Sequence, residues 1–227
     1  MIQIYSIQTA EEARMCVEAG ADSIGVAVAT GANLPSEVSV DTCKEIFDAI
    51  GKDAIKVLIV VTKEEEAIYE PLAALKPDVI HICGNEYFAT PEFVQKAKAL
   101  CPGILVLQAI AVDGPEAVDR ARHYAAFCDW LILDSVDPKI AGIGAAGITH
   151  DWAISAQIVQ AVDCPVILAG GLGPDNVAQA IHQVKPWGVD SFTRTSDKLP
   201  GGATRKNADK VRAFIENARK AYAELQP

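Results

Sequence analysis

Asp134 is the residue whose setting points most directly to acid–base chemistry. It follows the apolar run WLIL at positions 130–133, so a carboxyl group emerges from a strand that other elements should cover. Burial raises the pKa of a carboxyl group and suits it to general acid catalysis. The same position would also suit an aspartate that only caps the next loop. We predict the catalytic role and keep the capping role as the alternative.

His81 and Cys83 are the second candidate pair. They are two positions apart on a short apolar strand, so their side chains point to the same face. If that face is the interior of the fold, both side chains line a pocket; otherwise they are a core histidine and an inert core thiol. Two such residues alone are a weak metal signal, and no cysteines form a C-x-x-C pair. We therefore predict no metal site.

Glycines and hydroxyl side chains at three loop starts predict a phosphate site. The apolar run VILA at 166–169 leads into two glycines, and a helix is expected to begin at Pro174. Glycine lets the backbone approach a ligand closely, and amide N–H groups then point at the phosphate. A tight turn without a ligand is the alternative, because a short glycine-rich turn is a weak signal. The predicted substrate- or phosphate-binding residues are Gly147, Gly170, Gly171, Thr193, Arg194 and, at the end of another strand, Gln108.

Eight strand–helix units must position these residues. Alternation of short apolar strands and amphipathic helices predicts a parallel α/β fold, and eight units favour a closed (β/α)8 TIM barrel over an open sheet. Such a barrel needs about 200 to 250 residues, so positions 1–227 are predicted to form a single domain. The predicted strands cover 2–7, 23–28, 55–61, 79–83, 104–110, 130–134, 166–169 and 189–193. Five of the predicted helices cover 10–19, 40–50, 91–100, 115–126 and 206–223. The other three are a helix capped by Thr62 and two helices that begin near Asp151 and Pro174.

Composition excludes several classes of protein. The net charge is −10 and no Lys/Arg cluster occurs, which argues against a nucleic-acid partner. No apolar run reaches the ~18 residues that span a bilayer, and the amino terminus lacks the pattern of a secretory signal, so we expect no membrane partner and a cytoplasmic location. The six cysteines are widely spaced, which is typical of buried thiols in a reducing compartment.

The residues resemble the phosphoribosylanthranilate isomerase family, barrel enzymes of tryptophan biosynthesis. The similarity covers essentially the whole chain and is strongest in LILDS at 131–135, GAAGITHDW at 144–152 and PVILAGGLGPDNV at 165–177. The resemblance implies an Amadori rearrangement of a phosphoribosylamine that needs a general acid, a general base and no cofactor. It assigns the general acid to Asp134. It also implies that the phosphate lies near Gly147, Gly170, Gly171, Thr193 and Arg194.

Departures from the family pattern lie at the other end of the substrate. Tyr5 stands where the family has its cysteine base, and a tyrosine with a pKa of ~10 is a poor base at neutral pH. The family's arginine that faces the anthranilate carboxylate is absent from LPSEV at 34–38. Our hypothesis is a paralogue that acts on a phosphoribosyl or related sugar phosphate, with His81 or Cys83 replacing the base.

Two other functions remain open from the sequence. A phosphosugar aldolase or epimerase can use the same barrel, although no lysine ends a predicted strand, as a Schiff-base aldolase would require. A non-catalytic protein that binds a phosphorylated small molecule is the other alternative. We expect a monomer or a homodimer in each case.

Overall fold

Eight parallel strands close into a barrel in the computed structural model, which describes residues 1–32, 34, 36–84, 86–136, 142–144, 147–200 and 203–225. Neighbouring strands are hydrogen-bonded in chain order, and the last pairs with the first, with Gln3 opposite Asp190. The predicted (β/α)8 barrel is therefore confirmed. The strands are β1 (Ile2–Ile4), β2 (Ser23–Ala27), β3 (Ile55–Val60), β4 (Val79–Ile82), β5 (Leu105–Ala111), β6 (Trp130–Asp134), β7 (Val166–Leu168) and β8 (Gly188–Ser191).

Within the described ranges eight α-helices surround the barrel, and several begin at a polar cap that the sequence provides. The side chains of Thr9, Ser39 and Thr90 each accept a hydrogen bond from a backbone N–H in the first helical turn. Such caps satisfy amide groups that have no partner within the helix. The helices are α1 (Ala10–Glu18), α2 (Val40–Ile50), α3 (Glu66–Leu75), α4 (Pro91–Leu100), α5 (Ala117–Ala125), α6 (Trp152–Ala161), α7 (Val177–Val184) and α8 (Ala208–Glu224).

The capping role predicted for Thr62 was wrong. Helix α3 begins at Glu66, and its first residue is preceded by Glu65, which makes no side-chain cap hydrogen bond. The Thr62 hydroxyl instead accepts a hydrogen bond from the N–H of Glu64 at 3.1 Å. Thr62 therefore shapes a turn between β3 and the helix, because a threonine hydroxyl can bond to the backbone two residues ahead.

A short antiparallel hairpin, absent from the prediction, separates β8 from α8. Its strands are β9 (Ser196–Lys198) and β10 (Thr204–Lys206). Lys206, which was predicted to open the last helix, belongs to this hairpin, and α8 begins after an Asn207 cap. The buried Lys206 ammonium group donates to the Phe192 carbonyl at 3.1 Å and to the Ser196 hydroxyl at 3.0 Å.

Apolar side chains pack in two layers, as the alternation of strand residues requires. One layer fills the barrel interior and includes Val57, Leu107 and Ile132. The larger layer lies between the strands and the helices and includes Phe93 and Phe214. Side chains that face inward near the carboxyl ends of the strands are thus held by a packed floor beneath them.

No helix in the described ranges combines the length and the apolar character needed to cross a membrane. Positions 35, 145 and 146 in the segments compared above, and position 85, lie outside the described residues.

Candidate active site

Two adjoining cavities open at the carboxyl ends of the strands, where barrels of this kind place their active sites. The first has a volume of about 70 Å³ and the second about 20 Å³. Asp134, Asp190 and Phe192 line both, so the two cavities meet at these side chains. The first is also lined by Tyr5, Ser6, Leu34, Ser36, His81, Cys83 and Ile143, and the second by Gly147, Gly170, Gly171, Ser191 and Thr193, among others.

Asp134 lies at the junction of the cavities with a hydrogen-bonded carboxyl group. Its Oδ1 accepts from the Ser135 N–H at 2.8 Å and from the Ser135 hydroxyl at 3.4 Å. Gly144 passes so close to the carboxyl group that a Cβ there would overlap it. Burial raises the pKa of Asp134 to about 7, against the opposing effect of the two hydrogen bonds from Ser135. A carboxyl group with this pKa carries a proton in a substantial fraction of molecules at neutral pH.

Tyr5 projects into the barrel next to His81. Their ring centroids are 5.3 Å apart. The Tyr5 ring occupies the space that a side chain at position 25 would fill, because a Cβ on Gly25 would overlap two ring carbons. Tyr5 Oη and both ring nitrogens of His81 are buried, and none of the three has a hydrogen-bond partner among the residues that the structure describes. Buried polar groups normally have partners, so these three atoms are positioned to bond to a ligand.

Burial sets the protonation states of Tyr5, His81 and Cys83. It raises the pKa of Tyr5 well above its usual value, an effect that the Asp190 carboxyl group adds to. It lowers the pKa of His81 to about 3. It also raises the pKa of Cys83, whose Sγ donates to the Ile143 carbonyl at 2.9 Å. At neutral pH these groups are therefore a phenol, a neutral imidazole and a thiol.

Glycine residues form the wall of the second cavity. Gly147, Gly170 and Gly171 all adopt positive φ angles, of 66°, 81° and 59°, which favour glycine. A Cβ on Gly171 would lie 2.7 Å from the Ile148 carbonyl carbon, and a Cβ on Gly147 would lie 2.9 Å from the Thr193 hydroxyl. The loops that follow β6 and β7 therefore meet here at backbone distance, with the Thr193 side chain after β8 packed against Gly147, and larger residues would prevent this approach.

Two predicted ligand-binding residues lie outside both cavities. Gln108 points outward from β5, where its Oε1 accepts from the Ala89 N–H at 2.8 Å and its Nε2 donates to the Ala109 carbonyl at 2.9 Å. Arg194 forms an ion pair with Asp175 at 2.6 Å and donates to the Gly171 carbonyl at 3.3 Å. The structure therefore gives Gln108 a loop-anchoring role and makes Arg194 a support of the glycine wall.

Three residues to which the sequence analysis assigned no role lie in or next to the site. Asp190, the last residue but one of β8, lies within the barrel and is 5% exposed. Ser6 has a φ of 58°, an uncommon value for a residue other than glycine and one that often marks functional sites. His150 lies behind Gly170, with Nδ1 buried and Nε2 2.8 Å from the Ser155 hydroxyl. Strand-end position was the signal for Asp190 and Ser6, whereas loop position concealed His150.

Metal-binding groups do not cluster in the part of the chain that the structure describes. Among those residues, no three His, Cys, Asp or Glu side chains are placed to hold a metal ion. Acid–base chemistry by side chains is what the described geometry provides.

The chain is similar in sequence to one family of isomerases. The family model described as N-(5'phosphoribosyl)anthranilate (PRA) isomerase matches residues 2–217. An N-(5'-phosphoribosyl)anthranilate isomerase from Methanocella arvoryzae is 30% identical over 218 residues, which cover 96% of this chain and 97% of the relative.

Solved structures with the same fold come from the same family. A phosphoribosyl anthranilate isomerase from Thermotoga maritima superposes with a TM-score of 0.79 at 26% identity, covering 96% of this chain and 98% of the other. A phosphoribosyl anthranilate isomerase in complex with reduced 1-(o-carboxyphenylamino)-1-deoxyribulose 5-phosphate has a TM-score of 0.77 at 25% identity, with the same coverage of both chains.

Proposed function

Because this chain belongs to the N-(5'phosphoribosyl)anthranilate isomerase family, we propose that it isomerises an N-substituted phosphoribosylamine to the corresponding aminodeoxyribulose phosphate. The observation that carries the proposal is the position of Asp134 between a glycine-walled cavity and a cavity lined by Tyr5 and His81. A ribose placed across that junction would have its phosphate on one side and its amine substituent on the other.

The glycine-walled cavity suits the phosphate. Three loops converge there, and close backbone approach at Gly147 and Gly171 lets amide groups face an anion. The Thr193 hydroxyl is at hand as a further donor. Phosphate sites after strands seven and eight recur in barrels of this class, and the relative in complex with a deoxyribulose 5-phosphate compound is consistent with such a ligand.

Asp134 is the proposed general acid. Opening of the ribose ring requires a proton on the ring oxygen as the C1′–O4′ bond breaks, and the nitrogen lone pair then forms a C1′=N iminium. A carboxyl group with a pKa of about 7 holds this proton at neutral pH and still releases it readily. Its shared position between the cavities brings it to the ribose rather than to either end of the ligand.

The amine substituent would lie in the first cavity. Tyr5, His81 and Ile143 supply aromatic and apolar surface there, and Cys83 forms part of the same wall. Ser36 also lines this cavity, in the segment where the family pattern contains an arginine. The size and charge of this substituent are thus the features in which the substrate is expected to differ from phosphoribosylanthranilate.

Loss of anthranilate fluorescence upon addition of freshly prepared phosphoribosylanthranilate tests the proposal directly. We expect turnover by the wild-type protein and a loss of about 100-fold or more in kcat for Asp134→Asn, since general acid catalysis contributes about 10²- to 10⁴-fold. Asp163→Asn is the matched control, because Asp163 is an exposed carboxylate in the loop before β7, at the opposite end of the barrel.

A second series of substrates tests whether the protein catalyses the proposed reaction on a compound other than phosphoribosylanthranilate. If phosphoribosylanthranilate is not converted, phosphoribosylamines with small neutral N-substituents should be, with the same dependence on Asp134. Absence of turnover with all of them, despite measurable binding of ribose 5-phosphate, would contradict an isomerase and favour a phosphosugar-binding protein.

A further inference from the structure

Asp190 is a buried carboxyl group in the active-site cavities to which the proposed mechanism gives no task. It is 5% exposed, and together with Asp134 it lines both cavities. Carboxyl groups are rarely buried unless they are paired or functional. Two of them therefore face the same position, the one at which the ribose would lie.

The Asp190 side chain is held from the β1 side of the barrel. Gln3, its neighbour across the β1–β8 pair, donates from Nε2 to Asp190 Oδ1 at 3.4 Å. Gln3 is fixed in turn, because its Oε1 accepts from the Ser23 hydroxyl at 3.0 Å. Asp190 is thereby kept beside Tyr5, the residue at the position that the family resemblance gives to a cysteine base.

Three other side chains of the first cavity are poor proton acceptors at neutral pH. Burial raises the pKa values of Tyr5 and Cys83, so each keeps its proton. Burial lowers the pKa of His81 to about 3, so its imidazole binds a proton only weakly. Replacement of the cysteine base by His81 or Cys83 is therefore disfavoured by their surroundings.

We propose that Asp190 is the general base of this enzyme and removes the proton from C2′ while Asp134 donates the proton to the ring oxygen. This assignment rests on the proposed function. It makes the two carboxyl groups of the junction, on β6 and β8, a complementary acid and base.

Mutual repulsion leaves the pair with one proton, which lies on Asp190 in the free protein and which our assignment requires to pass to Asp134 when the substrate binds. Burial, and next the neighbouring Asp134 carboxylate, raise the pKa of Asp190 well above its usual value. Two carboxyl groups in one poorly solvated cavity resist double ionisation, so the pair holds a single proton near neutral pH. Apparent pKa values then belong to the pair and not to either residue.

The proton balance closes over one turnover. Asp134 gives its proton to O4′, the C1′–O4′ bond breaks, and the nitrogen lone pair forms the C1′=N iminium. Asp190 takes the proton from C2′, and the electrons of the C2′–H bond form C1′=C2′ while the iminium π pair returns to nitrogen. The enol then becomes the ketone when Asp134 accepts the O2′ proton and Asp190 returns its proton to C1′, which restores both groups.

The test combines two variants with a rescue experiment on the same isomerisation assay. Asp190→Asn keeps an oxygen for Gln3 and the shape of the side chain but cannot accept the proton. Asp190→Ala leaves a space that formate can enter. We expect both to lose about 100- to 10,000-fold in kcat with little change in KM. Formate should restore activity to Asp190→Ala but not to Asp190→Asn, and it should leave the Asp163→Ala control unaffected.

The possible results separate the two proposals. Wild-type protein that converts no phosphoribosylamine would overturn the proposed function and the Asp190 assignment with it. Active wild-type protein with an Asp190→Asn variant of near-normal kcat would overturn the assignment alone. A loss of activity that formate cannot restore in folded Asp190→Ala would also overturn it, since a structural role predicts that result. If Asp190→Ala does not fold, a 2′-deuterated substrate decides: the isotope effect on kcat should rise in Asp190→Asn, and an unchanged effect would overturn the assignment.

Discussion

Burial acts in opposite directions on the acidic and basic side chains of this site. It raises the pKa of Asp134 to about 7 and lowers that of His81 to about 3, because a poorly solvated environment disfavours the charged form of each. Both groups are consequently uncharged to a larger extent than they would be in water. The charge that a ligand meets where the two cavities join is therefore set by which of the site's side chains are protonated.

Stability at acidic pH should report on His81. Its folded-state pKa is depressed below the unfolded value of ~6.5, so the unfolded chain binds a proton that the folded chain refuses. The free energy of unfolding should therefore fall as pH drops below about 6, by up to ~1.4 kcal/mol per pH unit from this residue alone.

Urea unfolding of His81→Leu between pH 7 and pH 4 measures this contribution. The variant should lose less stability over that interval than the wild-type protein. His123→Leu, at an exposed histidine of α5, is the control and should follow the wild-type pH dependence. Parallel curves for His81→Leu and wild type would show that His81 gains a proton in the folded state.

The packing between β1 and β2 shows how a large side chain beside one strand is accommodated by the neighbouring strand. Tyr5 follows β1, and its ring rests on Gly25 of β2, where a Cβ has no room. Gly25→Ala should reduce the free energy of unfolding by about 1–3 kcal/mol, because overpacking forces side chains from their preferred positions. In the Tyr5→Ala background the same change should cost less.

A double-mutant cycle measured by urea unfolding gives the coupling between Tyr5 and Gly25. We expect roughly 0.5–3 kcal/mol, the range for residues in contact. A second cycle that combines Gly25→Ala with Tyr124→Ala on α5 is the control and should be additive. Equal coupling in both cycles would mean that Gly25→Ala disturbs the barrel generally and not through the Tyr5 ring.

Local sequence signals predicted the bounds of those elements that begin or end at recognisable capping or turn residues. Helices α2 and α4 and strand β6 have the expected bounds. Helix α4 begins with a Thr90 cap followed by Pro91, which is a pattern that needs no tertiary information. Strand β1 was predicted to reach position 7 but ends at Ile4, because the chain turns at Ser6 while its apolar pattern continues. The β9–β10 hairpin was missed because its polar segments lack an alternating apolar pattern.

The site residues likewise divide into those that a short stretch of sequence reveals and those that only the folded structure reveals. Asp134, His81 and the glycines were predicted, since a polar residue or a glycine at a strand end is visible in one stretch of sequence. Gln108 satisfied the same rule but points outward, a distinction that depends on strand register. The strand-end rule also marks Asp190, but its hydrogen bond with Gln3 appears only when β8 is seen beside β1, a pairing between distant parts of the chain.

Loops from three different strands form the glycine-walled cavity, so phosphate binding should stabilise the whole molecule. A ligand that binds only the folded state at 100 times its Kd adds about 2.7 kcal/mol to the free energy of unfolding. Ribose 5-phosphate should therefore raise the Tm of the wild-type protein in a concentration-dependent manner. Gly171→Ala should abolish the increase, because its Cβ would collide with backbone at Ile148.

Gly103→Ala is the matched control for that experiment. Gly103 also has a positive φ, of 91°, but it lies in the loop before β5 with open space around it. Both variants should have a lower Tm without ligand, owing to backbone strain. Only Gly171→Ala should lose the increase on addition of ribose 5-phosphate; an equal increase in both would contradict phosphate binding at the glycine wall.

The pairing of β1 with β8, which closes the barrel, also determines when the folding chain first becomes catalytically active. The hydrogen bond between Gln3 and Asp190 joins residues 187 positions apart, and the Val189 N–H donates to the Met1 carbonyl in the same pair. Contacts of such long sequence separation form late and slow the search for the native state. A chain emerging from the ribosome therefore holds Asp134 long before the opposite carboxyl group arrives. Catalytic competence should appear in one late step, with closure of the barrel.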